Sequence, residues 1–258
     1  MKLPRAVKGQ GFHAPCYKPW AYRLLKLLAR PYLRWGEGVR QLRVEGMQHL
    51  AERMVAFQAG DERLLILFRH VAKEDAPVMA RLLVRELPRW CGQKEIKLSS
   101  PPHAHFLYGK DVLNWAGAGA RWLFPRIGGI PVVNTKVDRA SQETMRRLLV
   151  KGDFPLCFAP EGQVTYHMFR TFAPASGTAT LAGWTLKDLR ARGDSRPVAI
   201  LPVALGYLPQ GDPAVLTRQL LVKLNGELGR RGSGDGELDA ELLSAASATA
   251  EFLESAYA

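Results

Sequence analysis

Residues 64–68, Leu-Leu-Ile-Leu-Phe, form an unbroken apolar run that ends abruptly in Arg-His-Val-Ala-Lys-Glu-Asp-Ala-Pro. A short apolar run with no polar alternation predicts a strand buried on both faces, and such strands belong to sheets covered by helices on either side. Similar runs recur at 104–108, 130–133, 154–158 and 198–205, separated by stretches with helical spacing at 47–57, 74–89, 112–124, 139–150 and 176–189. Alternation of this kind predicts one α/β domain with a mixed, largely parallel sheet flanked by helices. Residues 41–44 read as a further short strand, and Pro202 inside the last run places that strand at a sheet edge or a bulge.

The first run delivers His70 to a strand's carboxyl end, where α/β proteins keep their chemistry, and Asp75 follows five residues later. Five apart on one helix, the two would diverge. A histidine in the turn before a helix can instead meet an aspartate in its first turn, which would orient the imidazole and stabilise it once protonated. The pair is a candidate general base. The plainer alternative is a loop histidine beside two acids, Glu74 and Asp75, that merely complement the helix dipole.

Composition narrows the partners. The chain has 258 residues and a net charge of +12, and ten of its Lys and Arg fall in the first 50 residues against only Glu37 and Glu45. A local basic excess points to an anionic partner. At 100° per residue over 20–35, Arg23, Lys26, Arg30 and Arg34 share one arc, while Trp20, Leu24, Leu25, Leu28, Tyr32 and Trp35 share the other. Leucine with Trp and Tyr opposite a cationic face is the signature of a helix lying in a membrane interface, here kinked or split at Pro31. The competing reading is a helix packed on the protein's own core with a solvated basic face. Nucleic acid is not indicated, because no recognition module interleaves aromatics with the cations. Neither a signal peptide nor a membrane-spanning stretch is evident, and the three widely spaced cysteines fit neither a disulfide framework nor a zinc site. The expected location is cytoplasmic, peripheral on the inner face of the cell membrane.

Later loops add candidates. His103 and His105 share one side of a strand, as metal ligands can, but no further ligand is spaced to join them. Gly117 and Gly119, read as lying inside a helix, would let a backbone or an acyl chain approach. Lys136, Asp138 and Arg139 precede a helix whose first amides would suit a phosphate. Pro160-Glu161-Gly162 ends another strand and exposes a carboxylate beside an open amide, whereas Cys157 within that strand reads as core. The domain division expected is a basic membrane-docking segment at 1–45, an α/β domain at 46–228, and a linker with an acidic helix at 229–258.

The order of these loops resembles the glycerolipid acyltransferases of the 1-acylglycerol-3-phosphate acyltransferase (PlsC-like) family, over roughly residues 47–208. His70 and Asp75 match that family's histidine, four residues, aspartate block. Gly129 through Arg139 match its glycine, apolar strand and arginine, Phe158, Pro160, Glu161 and Gly162 its third block, and Leu201-Pro202-Val203 its fourth. The resemblance implies an O-acyltransferase that moves a fatty acyl group from acyl-CoA or acyl carrier protein to a lysophospholipid hydroxyl, most simply that of 1-acylglycerol-3-phosphate. It implies His70 as base, Asp75 as its orienting partner, and Arg139, Glu161 and Gly162 as acceptor binders, with no cofactor and no metal. Lys136 and Arg170 join the acceptor set on charge alone. The sequence departs from the pattern at Arg69, where an asparagine is usual, at the extra Ala159, and at Gln163-Val164 in place of Thr-Arg or Thr-Ser. These departures leave open a different acceptor, or a basic peripheral protein that binds anionic lipid without catalysis.

Overall fold

In the computed structural model, residues 11–133, 138–168, 170, 176–230 and 236–257 are described. The chain enters through helix α1 (Pro19–Pro31), which passes Pro31 and widens into a π turn at Tyr32–Gly36. Helix α2 (Met47–Ala59) leads to strand β1 (Arg63–Phe68). Then come α3 (Asp75–Arg81), a π turn (Leu82–Glu86) and α4 (Leu87–Gln93). Pro88 explains that turn: its ring would strike the carbonyl four residues back in a regular helix, and the wider winding avoids the clash. Strand β2 (His105–Gly109), short helix α5 (Val112–Trp115), α6 (Gly117–Arg126) and β3 (Ile130–Val132) follow. Helix α7 (Arg139–Lys151), β4 (Leu156–Phe158), α8 (Gly177–Arg190) and β5 (Val198–Val203) complete the unit Gly9–Gly206.

Among the described residues, five strands form one sheet in the order β3-β2-β4-β1-β5, and every pairing is parallel, so the antiparallel component allowed by a mixed sheet is absent. Alternation along β1 divides the apolar interior in two. Leu64, Ile66 and Phe68 join Met54, Phe57, Met79 and Leu83 on one face, while Leu65 joins Ile130, Leu149, Leu156 and Leu181 on the other. Helices α2 to α4 thus cover one face and α7 and α8 the opposite one. Leu64, Leu65 and Ile66 are fully buried, each stabilising the fold by about 1.5–3 kcal/mol. Such a strand cannot slip without moving apolar side chains from both cores.

The strand order also fixes where a site can form. From β1 the chain crosses β4 to reach β2, and from β4 it crosses β1 to reach β5, so the two neighbours send their connections to opposite faces. A crevice opens at the carboxyl ends of such a pair. Leu67 pairs with Phe158, and His70 and Glu161 each lie three residues beyond those partners.

Several sequence expectations change. Residues 41–44 form no strand; Val44 packs against the first core without joining a ladder. The helix expected at 112–124 is two helices, broken where Gly117 takes φ +82, and neither Gly117 nor Gly119 has an atom within 4 Å of where a Cβ would stand. Gly117 therefore serves a turn rather than a close approach. Pro202 sits in β5, an edge strand, which tolerates a residue without an N–H.

Arg63 ties β1 to the end of α7. Buried at the strand's start, it donates to the carbonyls of Leu148 at 3.1 Å, Gly152 at 2.7 Å and Leu149. The Leu148 carbonyl also accepts from the Gly152 N–H at 2.7 Å, and a cation at this helix end complements the helix dipole. Burial and the nearby Arg196 lower its pKa to about 10, so it keeps its charge at neutral pH.

Residues Tyr207–Ala258 group apart from this unit, and within them α9 (Pro213–Glu227) packs with the acidic α10 (Leu238–Tyr257). The sequence reading passed over α9, whose start signal is Asp212-Pro213: the aspartate caps the helix by accepting from the Ala214 N–H at 2.8 Å, and proline occupies the first turn. Of the 229–236 linker, residues 231–235 lie outside the described residues.

Candidate active site

His70 leaves the carboxyl end of β1, and Asp75 is the first residue of α3. Their side chains meet, with Nδ1 of His70 3.0 Å from Oδ2 of Asp75. The same oxygen accepts from the Ala72 N–H at 2.9 Å, and Asp75 is fully buried. A carboxylate only accepts, so Nδ1 must carry the proton and Nε2 is left as the lone-pair nitrogen. The imidazole remains 23% exposed, open to a substrate on the side away from its anchor. The arrangement has the geometry of an oriented general base.

The loop after β4 closes on this turn. Thr165 donates twice to the His70 carbonyl, from its N–H at 2.8 Å and its hydroxyl at 2.9 Å. Gly162 takes φ +72, a conformation that favours glycine in the Pro-Glu-Gly turn. Glu161 is drawn inside, its side chain 5% exposed, with Oε1 4.0 Å from Nε of Arg69. Arg69, at the asparagine position of the resemblance, spends its other nitrogens on the carbonyls of Met168 at 2.7 Å, His167 at 3.1 Å and Arg170 at 2.7 Å.

Other expected binders are placed differently. Lys136 lies outside the described residues. Arg139 opens α7 and is exposed, and Arg170 is also exposed, its carbonyl taken by Arg69. The Ser141 amide, expected to be free for an anion, already donates to Asp138 at 3.4 Å, and the Ser141 hydroxyl donates to the same carboxylate at 2.6 Å. Asp138 also pairs at 2.8 Å with Lys110, a cation just beyond β2 that sequence reasoning missed. Burial works against that carboxylate's charge, but its bonds to Lys110 and Ser141 outweigh it and hold Asp138 below the usual carboxylate range.

Helix α1 is tied to the base from the other side. Glu37, just past its π turn, accepts from the Tyr32 hydroxyl at 2.6 Å and pairs with Lys73 at 2.9 Å. Lys73 lies midway through the turn between His70 and Asp75 and also reaches Glu74 at 3.7 Å. Tyr22, at the amino-terminal end of the same helix, packs edge-on against His103 before β2. The helix thus runs the depth of the sheet. Ala21, Tyr22, Ala29 and Leu33 face the protein, whereas Trp20, Leu27, Leu28, Tyr32 and Trp35 are exposed beside the basic arc of Arg23, Lys26, Arg30 and Arg34, with Leu24 half-buried. Three faces replace the two expected. Trp122 of α6, half exposed, stacks on Trp20 with centroids 5.1 Å apart and carries Arg126 at 4.6 Å.

His103 and His105 bind backbone rather than metal. Nε2 of His103 donates to the Ile127 carbonyl at 2.7 Å, and Nδ1 of His105 to the Gly128 carbonyl at 2.8 Å. Among the described residues no group of three His, Cys, Asp or Glu side chains is placed to hold a metal ion. The two rings pin the Gly128-Gly129 turn, where Gly128 has φ +79 and a Cβ would stand 2.7 Å from His105 Nδ1. Cys157 is wholly buried in β4, and burial raises its thiol pKa well above the usual value, which suits packing and not nucleophilic attack.

No protein-family model matches the chain, and no curated protein matches it.

Burial lowers the His103 pKa to about 4 and lowers that of His105 in the same sense. In the unfolded chain a histidine titrates near 6.5. The unfolded state therefore binds more protons between those values, and stability is fully present above pH 6.5 and is lost as pH falls towards 4. His103 alone contributes about 3 kcal/mol to that loss. Urea midpoints at pH 7 and pH 5 should fall with acid in the wild type, and His103→Gln should reduce the difference between them.

Proposed function

We propose that the chain is an O-acyltransferase of the glycerolipid acyltransferase kind, acting at a membrane surface. The observation that carries this reading is the His70–Asp75 contact at the carboxyl end of β1, with a buried carboxylate, Glu161, at the neighbouring strand end. The acceptor hydroxyl gives its proton to Nε2 of His70 as its oxygen attacks the carbonyl carbon of a fatty thioester. The carbon–sulfur bond breaks, the thiolate departs, and the proton on Nε2 neutralises it. Asp75 holds the tautomer and stabilises the imidazolium, so no covalent enzyme intermediate is needed. The donor is acyl-CoA or acyl carrier protein, and the acceptor a lysophospholipid, most simply 1-acylglycerol-3-phosphate, giving phosphatidic acid.

The exposed face of α1 supports the membrane part. Leu27, Leu28, Trp20 and Trp35 outward, flanked by four cations, suit the headgroup boundary of an anionic leaflet. No described helix is long and apolar enough to cross a membrane, so this surface would lie on the bilayer. Because Glu37 and Lys73 join the end of α1 to the His70 turn, a docked helix would bring the crevice to where acceptor and product partition. The same face favours the second reading, a protein that binds anionic lipid without catalysis.

Release of free thiol from acyl-CoA, and separately from acyl carrier protein, distinguishes the two when purified protein is offered a panel of lysophospholipids. Acceptor-dependent release should appear with wild type and fall by about 10³-fold or more in His70→Ala. No release with either donor would leave the lipid-binding reading. In vesicle sedimentation with anionic lipid, part of the wild-type binding should survive 0.5 M salt, and a Trp20→Ala/Trp35→Ala double variant should lose that surviving part. Binding that vanishes with salt in the wild type would reduce the surface to electrostatics alone.

A further inference from the structure

We propose that Arg69 is a positioning residue for the acceptor side of the site. The idea rests on the acyltransferase reading above and concerns how its β4 loop is held. The guanidinium fork spans three carbonyls, those of His167, Met168 and Arg170, on a stretch nearly a hundred residues away in sequence. Just before that stretch, Tyr166 is in the left-handed region at φ +55, one of only two non-glycine residues among those described to have positive φ. Such a conformation costs a tyrosine of order 1 kcal/mol or more and persists only where neighbours over-determine it. Here they do. Thr165 is tied twice to the His70 carbonyl on one side of Tyr166, and Arg69 grips His167 and Met168 on the other. The tyrosine itself, 74% exposed, is thereby presented outward from the turn that rests on the base.

The fourth direction of the same side chain faces Glu161. Nε of Arg69 and Oε2 of Glu161 are both buried without a hydrogen-bond partner, and Nε stands 4.0 Å from the carboxylate's other oxygen. At that separation the attraction is charge rather than hydrogen bond, and with the carboxylate almost wholly shielded it is little screened. Arg69 is the cation beside Glu161, and without it the buried side chain would lose that counter-charge and move. One arginine thus fixes both the strained turn carrying Tyr166 and the place of Glu161. An asparagine at this position has neither the reach nor the charge to do both, and a lysine could supply the charge but not the fork. Arg69 acts through these residues and does not itself touch the reacting atoms.

The test uses the full chain with Arg69→Met and Arg69→Lys. The Michaelis constant for the lysophospholipid should rise at least about tenfold in Arg69→Met, a loss of one charged hydrogen bond or more, while that for the thioester donor stays within about twofold. Arg69→Lys should recover part of the loss by restoring the charge beside Glu161. Chymotrypsin cleavage after Tyr166 should quicken about tenfold in Arg69→Met, and adding Tyr166→Gly, which relieves the strain, should bring back part of the acceptor affinity. Faster cleavage with an unchanged acceptor constant would make Arg69 merely structural and overturn the proposal, as would unchanged values in both assays. If Arg69→Met does not fold, Arg69→Lys alone decides, since it must show a smaller shift in the same two readouts. Wild-type protein without acceptor-dependent release would overturn the acyltransferase reading itself, and the cleavage rates would still show separately whether the clasp exists.

Discussion

A buried carboxylate must find donors, and those of Asp75 include the Ala72 N–H and Nδ1 of His70. The rest of the site depends on that arrangement. The Ala72 bond holds the turn, the turn starts α3, and α3 carries Val78 and Met79 into the protein's interior. The histidine bond fixes the tautomer. Burial on one side and 23% exposure on the other give the imidazole an anchored nitrogen and an available one. A surface aspartate in the same sequence position would only have softened a helix dipole.

The site was legible where its partners are local and obscure where they are distant. His70 and Asp75 are five residues apart, and a turn followed by a helix brings them together with little help from the rest of the chain. The parallel sheet was readable from apolar runs, but its order was not. That β4 inserts beside β1, and so sets Glu161 level with His70, depends on pairings about ninety residues apart. Arg69 looked like a defect in a pattern because its three acceptors are backbone carbonyls, which carry no signal in side-chain identity. The partners of His103 and His105 were hidden in the same way: spacing showed only that no further ligand was placed to join them, and their partners are the carbonyls of Ile127 and Gly128.

Helix α1 shows what periodicity resolves and what it averages. Basic and apolar arcs were evident from spacing alone. That Ala21, Tyr22, Ala29 and Leu33 face inward while Trp20, Leu27, Leu28 and Trp35 stay outward follows from packing. Glu37, counted in the sequence only as a negative charge, joins that helix to the His70 turn through Lys73. That contact lies three residues from the proposed base.

The most direct test of the account is the rate of acceptor-dependent acyl transfer by Asp75→Asn, measured on protein whose folding is verified by its melting temperature. Asparagine keeps the size, but the atom in the Oδ2 place faces both the Ala72 N–H and Nδ1: an amide oxygen there keeps both bonds without the charge that stabilises the imidazolium, and an amide N–H there gives up the Ala72 bond and puts the proton on Nε2, so either way the oriented base is lost. The account predicts a fall of about 10³-fold or more, close to that of removing the imidazole. Activity within about tenfold of wild type would contradict it, because a histidine that works without its carboxylate is not the oriented base described.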